Sequence, residues 1–105
     1  MDRYQIQITQ KAKEDLMDIG DYISFILLEP ETSKKLIRGL RRSISQLHYF
    51  PRKFPIVDDY IIKYRKIHYM PYKKYFVFYA IDDDNKRVIV LRIGHKSRNW
   101  KYILL

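Results

Sequence analysis

Two apolar runs, KKYFVFYAI at 73–81 and KRVIVLRI at 86–93, are separated only by the polar stretch DDDN at 82–85. Aromatic and β-branched residues on either side of an Asp/Asn turn predict an antiparallel hairpin. In the first run both alternating sets are apolar, Tyr75, Val77, Tyr79 and Ile81 on one side and Phe76, Phe78 and Ala80 on the other. A strand of that kind is central and covered on both faces, so the rest of the chain must supply two covers. In the second run Ile89, Leu91 and Ile93 share a face by alternation, which leaves Val88, Val90 and Arg92 opposite and directs Arg92 away from the apolar set.

One cover is helical. After YQIQIT, whose period of two predicts a half-buried strand over 3–8, apolar positions recur at Leu16, Ile19, Tyr22/Ile23 and Ile26/Leu27, with Thr9 placed to cap. This predicts a first helix over 9–27. Pro30 interrupts it and suits the first turn of a second helix, whose stripe is Leu36/Ile37, Leu40, Ile44 and Leu47, ending before FPRKFP. Neither helix can bury its stripe alone, so the two form an antiparallel hairpin against the sheet. With RKIHYM as a further strand, the order is β-α-α-β-β-β, an α+β fold in one domain, 1–105, with the helical hairpin packed on a curved antiparallel sheet. The tail NWKYILL either closes the sheet edge or stands exposed for a partner.

Charge is unevenly spread. Residues 1–50 hold 8 Lys/Arg and 7 Asp/Glu, and residues 51–105 hold 13 and 5, so nearly all of the net +9 lies in the second half. Such a field attracts a polyanion or an acidic protein segment. His48, His68 and His95 have no ligand spacing, and with no Cys no metal or cofactor is expected. Glycines at 20, 39 and 94 form neither a phosphate loop nor a nucleophile elbow, which excludes nucleotide hydrolysis and serine esterase chemistry. No apolar stretch is long enough to span a membrane, and the N-terminus has no export signal, so the cytoplasm is the expected compartment.

The basic residues form two clusters, PRKFP with Arg65 in KYRK, and RIGHKSR with Lys101. If the last strand lies beside its neighbour, Arg92, His95, Lys96 and Arg98 gather at one rim, where Gly94 allows close approach of a ligand. Arg takes phosphate or carboxylate in bidentate fashion, and Trp100, Tyr102 and Tyr72 have rings that stack on unpaired bases. The inventory for RNA cleavage through the 2′-hydroxyl is also present, because a histidine changes charge near neutrality, cations stabilise the phosphorane, and an acid serves the leaving oxygen.

YQIQITQKAKEDLMDIGDYI, PETSKKLIRGLRRSISQL, FPRKFP and RKIHYMPYKKYFVFYAIDDDNKRVIVLRIGHKSRNW together resemble the RelE/ParE superfamily of toxins from bacterial type II toxin–antitoxin operons. The resemblance implies a cognate antitoxin as partner in a toxin–antitoxin hetero-oligomer. In the RelE-like branch, ribosome-dependent mRNA endonucleases, an arginine stands three residues before the tyrosine of the strand resembling FVFY, and that position here is Phe76. The matching basic and aromatic positions after the last strand are Lys96, Arg98 and Tyr102, with His95 nearby, and these would be catalytic if the chain were RelE-like. The long hairpin, Phe76 and the LRIGH ending look more like the ParE branch, which poisons DNA gyrase and is not known to cut RNA. On that reading Arg65, Arg92, His95, Lys96, Arg98 and Trp100 meet the target, and the chain is not an enzyme.

Overall fold

The computed structural model describes residues 3–105, so the expected domain begins two residues before the described ones. Its elements run β1 Gln5–Ile8, α1 Gln10–Asp21, α2 Pro30–Ser45, β2 His68–Tyr72, β3 Tyr75–Asp82, β4 Arg87–His95 and α3 Trp100–Leu104. The sheet order is β1-β4-β3-β2. Pairing is antiparallel along β2, β3 and β4, while β1 joins β4 in parallel, Gln5 to Ile8 lying against Arg87 to Val90. The sheet is therefore mixed at its β1 edge rather than antiparallel throughout.

Thr9 makes the corner between β1 and α1. Its side chain accepts from Ala12 N as the helix cap, its hydroxyl donates to Leu91 O at 3.1 Å, and its N–H donates to Val90 O. One residue thus ends a strand, caps a helix and covers the part of β4 that β1 is too short to reach.

α1 ends six residues before the expected boundary. Its stripe continues as a π-helical turn, Tyr22–Ile26, and the following Leu28 takes a left-handed φ of 57°. Of the apolar residues from Tyr22 to Leu28 only Ile23 is buried, so the hairpin tip holds Phe25, Ile26 and Leu28 in solvent. α2 starts at Pro30 as expected, and Ser33 Oγ donates to Gly20 O at 2.8 Å where the helices cross.

The helical face of the sheet is the main core. Leu36, Leu40, Ile44 and Leu47 come down with Leu16 on Val77, Tyr79, Val88 and Val90. Full burial of a leucine such as Leu40 is worth about 2 kcal/mol. At Gly39 the backbone of α2 lies so close to β2 that a Cβ there would sit 1.9 Å from Tyr72 Oη. The back face carries a smaller cluster of Phe78, Ile67, Val57, Ile62 and Leu104, flanked by Tyr69, Phe76, Leu91 and Trp100. The central strand is covered on both sides, as its two apolar sets require.

A β-bulge changes β4. Phe78 pairs with Arg92 and Tyr79 with Val90, which leaves Leu91 unpaired. One extra residue reverses the alternation beyond it, so Val88, Val90 and Ile93 share the helical core and Leu91 packs on the back. The expected grouping of Ile89, Leu91 and Ile93 is corrected accordingly. The tail is neither an edge strand nor a free segment: α3 buries Leu104 on the back face and turns Tyr102 and Leu105 outward.

Candidate functional site

β4 ends in an exposed basic turn, His95, Lys96, Ser97, Arg98, Asn99. The turn is ordered by hydrogen bonds: Lys96 N donates to Lys74 O at 2.8 Å, Arg98 N donates to His95 O, and Asn99 caps α3 through Lys101 N. His95 Nδ1 accepts from Ser97 N at 3.1 Å, which places the ring proton of the neutral form on Nε2. Its ring stands edge-on to Tyr75 at 5.5 Å, and burial beside Tyr22 raises the Tyr75 phenol above its ordinary value. Lys96 Nζ lies 5.4 Å from the centre of the Phe76 ring, a cation–π contact that leaves the ammonium exposed. The Arg98 guanidinium reaches into solvent and makes no ion pair among the described residues.

Arg92 does not join this turn. The bulge rotates it to the free edge of β4, where Nε and Nη2 bond the two oxygens of Asp15 at 2.8 and 3.0 Å. Asp15 Oδ2 also accepts from Ile93 N at 2.9 Å, so one buried carboxylate closes the strand edge and neutralises the arginine. The bond to Asp15 raises the Arg92 pKa still further above its ordinary value. Its remaining arm donates to Ile103 O, and Arg65 Nη1 donates to Leu104 O. Two arginines expected to meet a target thus grip the last carbonyls of α3, where positive charge is favourable. Gly94 is buried, and a Cβ there would meet Ile103 Cδ1 at 3.5 Å, so its neighbour is the chain's own tail and not a ligand.

The remaining candidates are divided among separate hollows. Trp100 and Phe76 line one of about 270 Å³ with Val57, Asp58, Tyr69 and Phe78. Tyr102 lines a second, of about 290 Å³, with Asp59, Ile61, Ile62, Lys101 and Leu105. His95 belongs to a third, of about 440 Å³, between the helical hairpin and the β2–β3 turn. The base and acid candidates therefore face different spaces. Tyr72, considered as a stacking ring, lies under α2 at Gly39.

That third groove is what the sequence concealed. Its floor is Tyr22, Ile23, Leu27, Leu36 and Tyr75, and its rim carries Lys35, Lys73, Lys74 and His95, with Glu29 at one end. Lys73 and Lys74 form the two-residue turn between the paired Tyr72 and Tyr75, with Lys73 at a left-handed φ of 51°. The only forewarning was PYKKY, two lysines where Asn-Gly is usual.

Residues 6–100 match the family described as ParE toxin of type II toxin–antitoxin system, parDE. No curated protein matches the chain in sequence. Among solved structures, a chain of the chromosomal ParDE TA system from P. aeruginosa superposes with a TM-score of 0.73 at 17% identity, covering 89% of this chain and 96% of that one. A chain of the toxin–antitoxin complex RelBE2 from Mycobacterium tuberculosis gives 0.65 at 18% identity, covering 93% and 97%. The isolated E. coli RelE toxin gives 0.62 at 13% identity, covering 96% and 93%. At these identities the structural likeness concerns the fold.

Proposed function

Because the chain belongs to the ParE toxin family of type II toxin–antitoxin systems, we propose that it arrests growth in the cytoplasm by binding DNA gyrase and not by cutting message. The observation that carries this reading is the surrounding of Phe76. The position where a RelE-like nuclease would hold the phosphate is an aromatic hollow walled by Tyr69, Phe78 and Trp100, with Phe76 edge-on to Tyr69 at 5.4 Å. Aromatic walls and the Asp58 carboxylate do not stabilise a developing phosphorane, the cation over Phe76 is the Lys96 ammonium and no bidentate guanidinium, and Arg92 is already committed to Asp15. His95, Lys96, Arg98 and the edge of Trp100 remain as the contact surface toward the target.

The cognate antitoxin fits the groove at the hairpin tip. An apolar floor rimmed by Lys35, Lys73 and Lys74 suits an acidic amphipathic segment, which the net positive charge would steer and which would cover Phe25, Ile26 and Leu28. The π-helical turn and the left-handed Leu28 cost about 1 to 2 kcal/mol to hold those side chains outward, an expense that partner binding explains.

Purified protein added to a gyrase supercoiling assay should inhibit it at micromolar concentration and accumulate cleaved DNA. No inhibition and no cleavage would reject the reading. The RelE-like alternative retains one favourable observation, the adjacent exposed cations Lys96 and Arg98, which make no ion pair among the described residues. Primer extension on translated mRNA tests it: cuts in the ribosomal A site, lost in the Lys96→Ala/Arg98→Ala variant, would replace the gyrase reading.

A further inference from the structure

The segment between Asp58 and Lys66 exposes Tyr60 at 99% and Tyr64 at 80%, and α3 exposes Tyr102 at 78%. Rings this bare contribute nothing to the core, and three on one ledge are not scattered surface residues. They share a ledge because the segment is tied to α3 at two points: Lys101 Nζ meets Asp59 at 3.1 Å, and Arg65 donates to Leu104 O. Tyr102 lines the same hollow as Ile61 and Ile62, the residues between the other two tyrosines.

The chemistry around the rings selects the ligand. The sequence has no Asp or Glu from Tyr60 to Ile81, and none after Asp84. Lys66, which follows Arg65 on the segment, and Arg98, two residues before α3, are exposed and make no ion pair among the described residues. Asp58 and Asp59, the acidic residues on the segment, are paired with Lys63 and Lys101. A surface of unpaired cations and projecting aromatic rings repels acidic matter on no side and presents faces on which unpaired bases stack. Duplex DNA has its bases already stacked and offers those rings no partner.

We infer that the ledge of Tyr60, Tyr64 and Tyr102, with Lys66 and Arg98, binds single-stranded nucleic acid directly. The rings take the bases and the cations take the phosphates. Contact of this kind needs no gyrase, and it is separate from the hairpin groove assigned to the antitoxin. A target complex containing opened or broken DNA would supply such strands.

Fluorescence anisotropy of a labelled oligothymidylate of about fifteen nucleotides, titrated with purified protein at about 50 and 200 mM salt, tests the inference. Wild type should bind in the micromolar range, weaken about tenfold at the higher salt, and prefer the single strand over a duplex of equal length by at least about tenfold. The Tyr60→Ala/Tyr64→Ala/Tyr102→Ala variant should lose at least about tenfold at both salts, the corresponding triple phenylalanine variant should stay within about twofold, and Lys66→Ala/Arg98→Ala should flatten the salt dependence. Should the triple alanine variant fail to fold, Tyr60→Ala decides alone, since its ring is almost wholly in water. No signal at low salt, equal binding by the alanine variant, or equal affinity for duplex would overturn the inference. An alanine variant that loses a protein partner while wild type ignores oligonucleotide would do the same, by assigning the ledge to protein. The assay contains no gyrase, so failure of the gyrase reading leaves its outcome unchanged.

Discussion

The two faces of the sheet are built to different standards. Over the helical face, two long amphipathic helices bury Val77, Tyr79, Val88 and Val90 completely, and the Tyr79 phenol, pushed up to about 12 by that burial, donates to Pro51 O at 2.6 Å. Over the back face, a loop and a five-residue helix leave Tyr69, Phe76 and Trp100 half-buried and hollows open. The first face makes the fold. The second is held by few contacts, many of them polar ties at its margin, and the candidate target-binding residues other than His95, which lines the groove on the helical side, lie along or beside it. Stability and recognition are thereby separated across one sheet, and loosening one need not unfold the other.

Substitutions in the two layers should break this contrast if it is wrong. Leu40→Ala, at the centre of the helical core, should cost about 3 to 5 kcal/mol in chemical denaturation. Arg92→Ala should cost about 3 kcal/mol, since it leaves the Asp15 carboxylate buried without its partner and releases the end of α3. A loss below about 1 kcal/mol would show the pair to be dispensable and return Arg92 to the list of target contacts. Gly39→Ala should cost about 2 kcal/mol through collision with Tyr72 Oη, and Tyr72→Phe in the same chain should recover part of it by shortening the ring.

Phe76→Arg comes next in size and bears on both faces at once. The position is half-buried at the margin of an open hollow, so a guanidinium can reach water there and stability should fall by only about 1 kcal/mol. Restoring the arginine should not confer cleavage of translated mRNA, because Tyr102 and His95 still face different hollows. Cleavage appearing in this variant would mean that one residue separates the two chemistries.

The helical face was legible in sequence because its elements are long and periodic. The α2 stripe, the Pro30 start and the two apolar sets of β3 each follow from residues a few positions apart. The back face and site were not, since they depend on pairings between distant residues. The bulge at Leu91 is a property of β4 against β3 and has no local marker, yet it decides whether Arg92 or Ile93 faces the helices. Asp15 lies 77 positions from Arg92; its spacing from Ala12 and Ile19 sets it on the apolar face of α1, unlike the solvated Glu14 and Asp18, but nothing local names its partner. WKYILL reads equally as strand or helix, and burial of Leu104 with two arginines on its carbonyls selects the helix. The basic turn His95 to Arg98 was found because its members are neighbours in sequence, whereas Lys35, Lys73 and Lys74 meet only in the folded chain.

The smallest expected effect distinguishes the ties at the two margins. Asp83 serves the helical side, with its carboxyl held below the ordinary 3.8 by hydrogen bonds from Arg52 and then Tyr4, and Asp59 serves the back, held down chiefly by Lys101. A carboxylate whose folded pKa is lowered stabilises the protein above its unfolded value and loses that contribution as pH falls through the folded one. The urea midpoint should therefore stay level from neutral pH to about pH 4 and decline below it. An equal decline below about pH 4 in the Asp83→Asn/Asp59→Asn variant would contradict this assignment. Both groups are exposed, so each substitution to Asn should shift the midpoint only slightly, but the local consequences differ. Asp83→Asn removes the ion pair with Arg52 from a turn that the Asn85 hydrogen bonds to Asp82 and the β3–β4 ladder still hold. Asp59→Asn removes one of the few ties between the Tyr60–Tyr64 segment and α3, so hydrogen exchange should quicken at Tyr102 and Leu105 N–H while that of Val77 and Val90 stays unchanged.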